Sequence, residues 1–302
     1  MLINLANATG LLKFTGMVMA ITNTKERLIK RWAGVLKSTK QRIPELKQAL
    51  STGEYDRSVG YYANGLKDQY ARVARLDYLL NHDIASLKKN LELETECQIE
   101  LFEIFENRKP NDPPNPGLDP MAPSYFSMFI FCKLLDALAS GNMGIAMHLA
   151  SYMGGRPEIE DKYDDEFILS LGYSLKYAVE NNKVQLQEWL PRLKAVCEDP
   201  EYDISEFMGY YLVLAALLDN NLEKANWAFT VLIVNHKKRC KKPKEDYPFS
   251  ADFHDSPDAD LFVWGIGLAN LCRYYGLDVT IDDPLIPAEL IIPAVESNER
   301  TT

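Results

Sequence analysis

A chain of 302 residues with 47% hydrophobic and 25% charged residues has the apolar content to fill a globular core, as one large domain or two. Its formal net charge of −10 argues against nucleic acid or an anionic membrane as the main partner and suits a basic protein or a solvated surface. Five cysteines, widely spaced and without a CxxC, read as buried free thiols in a reducing compartment, and the cytoplasm follows as the expected location.

The opening residues, MLINLANATGLLKFTGMVMA, are apolar, yet they lack the basic start of a signal peptide and are interrupted by Asn7 and Lys13. A short first helix, or a start at Met17 or Met19, is expected in place of a targeting segment. Thr22 or Thr24 suits the cap of a helix striped by Leu28, Trp32 and Leu36, and Pro44 suits the first position of a second, short helix. Residues 56–81 carry Tyr61, Tyr62, Leu66, Tyr70, Val73, Leu76 and Leu80 on one side and Lys67, Arg72 and Arg75 on the other, and His82-Asp83 breaks the run. Another helix follows, with Leu87, Leu91, Ile99, Leu101, Phe102 and Phe105 on one broad face. Residues 1–107 thus form an N-terminal helical segment. Residues 108–123 hold six prolines in sixteen positions, which excludes helix or sheet interior and marks a connection, expected to be an ordered wrap.

Residues 124–302 contain one pattern three times: an apolar run, a turn of Gly or Asn followed by Asn, and a second amphipathic run. Aligned on Asn142, Asn182 and Asn221, the copies are 40 and 39 residues apart. Gly141, Asn181 and Asn220 fall where the first helix ends in a left-handed conformation, and Ala146, Leu186 and Ala225 fall on the first turns of the second helices. A period near 40 residues is that of HEAT or tetratricopeptide arrays. Beyond a basic stretch (Lys237, Lys238, Arg239, Lys241, Lys242, Lys244), Ser256 and Pro257 signal the start of a last helix, with Asp258 and Asp260 at its positive end. Leu261, Trp264, Leu268, Leu271 and Tyr275 continue it at 3-4 spacing, Gly276 ends it, and the tail allows at most a short strand and a turn. The expected fold is all-α: stacked helical hairpins with an N-terminal helical segment and a C-terminal capping helix, together one compact unit.

Chemistry is sparse. His82, His148, His236 and His254 are not at metal-ligand spacing, and HExxH, GxSxG, GxGxxG and GxxxxGK[ST] are absent, so no catalytic residue, metal or cofactor is expected. The His82-Asp83 and His254-Asp255 dipeptides would need further ligands to make a metal phosphohydrolase, and they read better as helix-end or loop residues. His148 reads as a packing residue, Gly154-Gly155 as a helix stop, and Tyr61, Tyr62, Tyr70, Tyr173, Tyr177, Tyr210 and Tyr211 as core or groove lining. No uncharged apolar run of 18 residues lies beyond the N-terminus, so no membrane span is expected. Two acidic clusters, Glu158, Glu160, Asp161, Asp164, Asp165 and Glu166, then Glu198, Asp199, Glu201, Asp203 and Glu206, occupy the same place in successive repeats. Equivalent connections emerge on one edge of a stacked array, where they would form a negative ridge that steers a basic partner. The same acids at helix starts also complement helix dipoles and solvate an edge.

The run DADLFVWGIGLANLCRYYGLDVTIDDPLIPAELI, through Trp264-Gly265, Leu268-Ala269-Asn270-Leu271, Gly276-Leu277 and Pro284-Leu285-Ile286-Pro287, resembles the closing signature of the immunity protein 49 family of bacterial polymorphic toxin and type VI secretion systems. About thirty residues carry the likeness. It implies a cytoplasmic protein that binds and silences a cognate secreted toxin, often a nuclease, with no catalytic residues of its own. Charge and repeat geometry then point to Glu158, Glu160, Asp161, Asp164, Asp165, Glu166, Glu198, Asp199, Glu201 and Asp203 as the toxin-binding acids, with neither nucleic acid nor membrane as a direct partner. The alternative is a helical-repeat scaffold holding a peptide in its concave groove.

Overall fold

A computed structural model describes residues 6–53 (side chains from residue 25), 59–106, 125–202, 204–241 and 256–294. Among them are eleven α-helices and no strand. The N-terminal part contributes α1 (Ala6–Thr52), α2 (Val59–Asn81) and α3 (Ile84–Glu106). Three hairpins follow: α4 (Phe131–Ala139) with α5 (Met143–Tyr152), α7 (Glu166–Val179) with α8 (Lys183–Glu198), and α9 (Met208–Leu218) with α10 (Leu222–Arg239). A short helix α6 (Pro157–Tyr163) joins the first two, and α11 (Val263–Tyr274) closes the series.

The hairpin turns follow from two adjacent residues. Gly141, Asn181 and Asn220 have φ of +82°, +53° and +50°, the left-handed conformation that Gly and Asn tolerate best. Asn142, Asn182 and Asn221 then cap the second helices, their side-chain oxygens accepting from the N–H of Ile145, Gln185 and Lys224 at 3.2, 3.2 and 2.9 Å. One turn later Ala146, Leu186 and Ala225 are buried, which locks the second helix onto the first. The same device separates α2 from α3, where His82 takes φ +52° and Asp83 accepts from the N–H of Ser86 at 2.8 Å. The α2–α3 pair extends the stack, because α3 packs against α4 and α5 while α1 covers α2.

Helix α11 packs along α4 and reaches α9 and the end of α7 through single side chains. Trp264 meets Phe131 of α4 and Tyr210 of α9 edge-on. The Asn270 amide donates to Leu138 O at 2.9 Å and accepts from the N–H of Ile292, tying α4, α11 and the tail together. The Tyr275 hydroxyl donates to Val179 O at the end of α7. Gly267 faces the backbone of Leu135 and Ala139 so closely that no side chain fits between.

Several expectations change. Helix α1 runs through Pro44 without a break, because Trp32, Leu36, Ile43, Leu46 and Leu50 form one stripe on both sides of it that packs against α2. Ser256 caps only a 3-10 turn (Pro257–Ala259); the α-helix begins at Val263, after the N–H of Phe262 has bonded to Leu285 O in the tail. Lys67 and Arg75 face the interior, since α2 is covered on both sides. His148 is exposed beside Tyr152 and is not a packing residue. Within residues 277–294 there is a 3-10 turn (Ala288–Leu290) and no strand. The Pro-rich connection, His254 and Asp255 lie outside the described residues.

Candidate functional site

Antiparallel pairing of α7 with α8 sets the start of one beside the end of the other, so the two acidic connections share an edge. There Glu166 takes Arg192 in two bonds of 2.7 Å, and the Arg192 guanidinium lies over Trp189. Part of the acidic set is committed to the fold. Glu160 is only 9% exposed and accepts from the Tyr173 hydroxyl at 2.9 Å and the Arg156 N–H at 2.8 Å, closing the Gly154-Gly155 bend. Asp164 is half-buried and accepts from the N–H of Met128 at 2.8 Å; burial raises its pKa above the ordinary carboxylate value. Asp165 caps α7 through the N–H of Ile168. Asp199 accepts from the N–H of Glu201, and Glu198 pairs with Lys194 at 3.6 Å. Glu158, Asp161, Glu198 and Glu201 remain exposed along the edge, joined by Tyr202. Asp203 lies outside the described residues.

The basic stretch does not form one patch. Lys237 pairs with Asp283 of the tail at 2.5 Å. Arg239 is buried, its guanidinium over Phe207 and Trp264. Lys238 and Lys241 are exposed, and Lys242 and Lys244 lie outside the described residues.

A buried charge cluster was not anticipated from the sequence. Arg75 of α2 donates to Asp136 of α4 at 2.7 Å and to Asp258 of the 3-10 turn at 2.8 Å. Lys133 meets Glu94 of α3 at 2.5 Å and Asp136 at 3.8 Å, and Lys67 donates to Gln98 at 2.9 Å. Burial pulls the Lys67 ammonium down to about 8. For Lys133 burial acts in the same direction, but Glu94 and Asp136 outweigh it and raise the pKa above the usual lysine value. Burial would raise Asp258, yet Arg75 holds it below the ordinary carboxylate value. The only sequence signal was Lys133 and Asp136 inside the otherwise apolar run FCKLLDALA. Glu94 and Asp136 are closed off from solvent, so this arrangement suits a clamp between helices rather than a site open to substrate.

Burial raises Cys97, Cys132, Cys197 and Cys272 to about 12 and Cys240 to about 11, which keeps these thiols protonated. No group of three His, Cys, Asp or Glu is placed to hold a metal among the described residues, and none of their helices is long and apolar enough to cross a membrane. Open clefts among the described residues include one of about 190 Å³ at the turn edge, lined by Tyr177, Asn181, Lys183 and Tyr275, and one of about 180 Å³ between α10 and residues 280–283. No family model matches the chain, and no curated protein or solved structure is significantly similar to it.

Proposed function

We propose that the chain is a stoichiometric binding protein without a reaction of its own, of the toxin-immunity kind, which silences a basic protein such as a secreted nuclease in the cytoplasm. The observation that carries this reading is the set of exposed carboxylates on the connections that flank the α7–α8 pair. Glu158, Asp161, Glu198 and Glu201 keep exposed carboxylates there, and Tyr202 is exposed next to Glu201. Carboxylates in that arrangement complement the Lys and Arg side chains with which a nuclease holds phosphate, and covering those side chains would block its cleft. The C-terminal likeness to immunity protein 49 supports the same reading on its own residues.

Co-expression with the product of the adjacent upstream gene tests the proposal. Growth rescue together with a stable one-to-one complex is the expected result; neither rescue nor complex would overturn it. Within such a complex, reversing Glu158, Asp161 and Glu201 to Lys should slow association and flatten its dependence on salt while leaving the fold intact. Unchanged association kinetics would remove this edge from the contact.

A further inference from the structure

Helix α10 ends the series of hairpins, and one of its faces is exposed among the described residues. Glu223, Trp227, Thr230, Val234 and Lys238 are all exposed, and their spacing places them in one line along the helix. Trp227 is 58% exposed and Val234 45%, with Leu222 exposed at the first turn. Single exposed apolar residues are common on protein surfaces, but aligned ones on a single helix form a seam. The charges along this seam are ordered, with Glu223 near the start and Lys238 and Lys241 near the end.

That order is self-complementary. The pairs Trp227 with Val234 and Glu223 with Lys238 are both centred between Thr230 and Val231. A second α10, antiparallel across a two-fold axis at that point, would set each Trp227 against Val234 of the other copy and each Glu223 against its Lys238. Antiparallel alignment also opposes the two helix dipoles favourably. The cleft of about 180 Å³ supplies an independent observation. It opens beside Thr230 and Val234 and is lined by Ile233, Lys237, Asp282 and Asp283, whereas Trp227 of the same chain does not line it. An indole arriving from the second copy would meet this cleft next to Val234, with Asp282 and Asp283 in reach as acceptors for its N–H.

We propose that the outer face of α10 is the interface of a homodimer, closed by reciprocal insertion of Trp227 into the cleft between α10 and residues 280–283 of the other copy. The occupant is a second copy because the Trp227–Val234 pair, the Glu223–Lys238 pair and the cleft beside Val234 are related by the same two-fold operation, as an isologous contact requires. This interface does not depend on the toxin-binding reading.

Sedimentation equilibrium of the full chain tests the proposal. One helix pair with a flanking cleft makes a small interface, so the mass should rise from 34.3 kDa toward twice that value over roughly 1–100 µM. Trp227→Glu should weaken association roughly tenfold or more while far-UV circular dichroism and melting stay those of the parent, since the side chain is exposed. Glu223→Lys and Lys238→Glu should each weaken the dimer, and the double reversal should restore it. A chain that stays monomeric throughout, a dimer indifferent to Trp227→Glu, or a double reversal that fails to rescue would each overturn the proposal. Capture of a different protein through Trp227 without self-association would overturn it too.

Discussion

At Asn181 and Asn182 two neighbouring residues of one type do different work. Asn181 tolerates φ of +53°, whereas Asn182 accepts the N–H of Gln185 and starts the next helix. Asn182→Ala should therefore cost about 1 kcal/mol in urea denaturation. Asn181→Val should cost roughly 1–3 kcal/mol through backbone strain, and Asn181→Gly close to nothing. These turns were legible in the sequence because the preference for a left-handed residue is local chemistry. The roles of Lys67 and Arg75 were not. Charges at helical spacing read as a solvated face, and the carboxylates that Arg75 meets are 61 and 183 residues away along the chain. His236 was equally opaque: it stacks on Phe262 with ring centres 3.8 Å apart and bonds to Asp258 O, both far along the chain. Burial, reinforced by Arg239, lowers its pKa to about 4 from 6.5. Between those values the unfolded chain binds a proton that the folded chain refuses, so stability is complete above about pH 6.5 and falls as pH drops toward 4. The loss should reach at most about 3 kcal/mol, and His236→Phe should flatten that part of the stability–pH curve.

At the scale of elements, the closeness of helices rather than their number decides how the array is finished. Spacing of apolar residues revealed that α11 exists, but not that it packs along α4. What permits that placement is the absence of a side chain at Gly267, where an added Cβ would collide with the backbone oxygen of Leu135. Backbone cannot swing aside as a flexible side chain can, so Gly267→Ala should push α11 off α4 and cost about 3 kcal/mol, the upper end for overpacking. Gly34 of α1 is the control, with open space around its missing Cβ. Gly34→Ala should raise stability by roughly 0.5–1 kcal/mol, because alanine loses less freedom in a helix. Thermal melts of the two variants should shift in opposite directions; a shared direction would mean that helix propensity rather than proximity governs both sites. The start of α11 was misread for a related reason. Ser256-Pro257-Asp258 is a sound helix opening locally, but Asp258 is engaged by Arg75 and Phe262 by the tail, so the chain makes one 3-10 turn there and begins the α-helix later.

Across the whole molecule, the N-terminal helices, the first hairpin and the segment before α11 meet at one buried cluster, and Arg75 touches all three through α2, Asp136 and Asp258. Such a cluster is costly to desolvate, so its contribution is not the sum of its ion pairs. Removing one partner is the severe change. Arg75→Ala leaves the Asp136 carboxylate, 1% exposed, with Lys133 at 3.8 Å as its nearest cation. The expected loss is about 3–5 kcal/mol in urea denaturation. Replacing both members by apolar residues of similar volume, Arg75→Met with Asp136→Leu, removes the buried charge along with its counter-charge and should cost less than Arg75→Ala alone. A double variant weaker than the single would show instead that the ionic contacts among Arg75, Asp136 and Asp258 stabilise the fold outright. That outcome would make electrostatics, rather than the apolar face shared by α3, α4 and α5, the main bond between the N-terminal helices and the hairpin array.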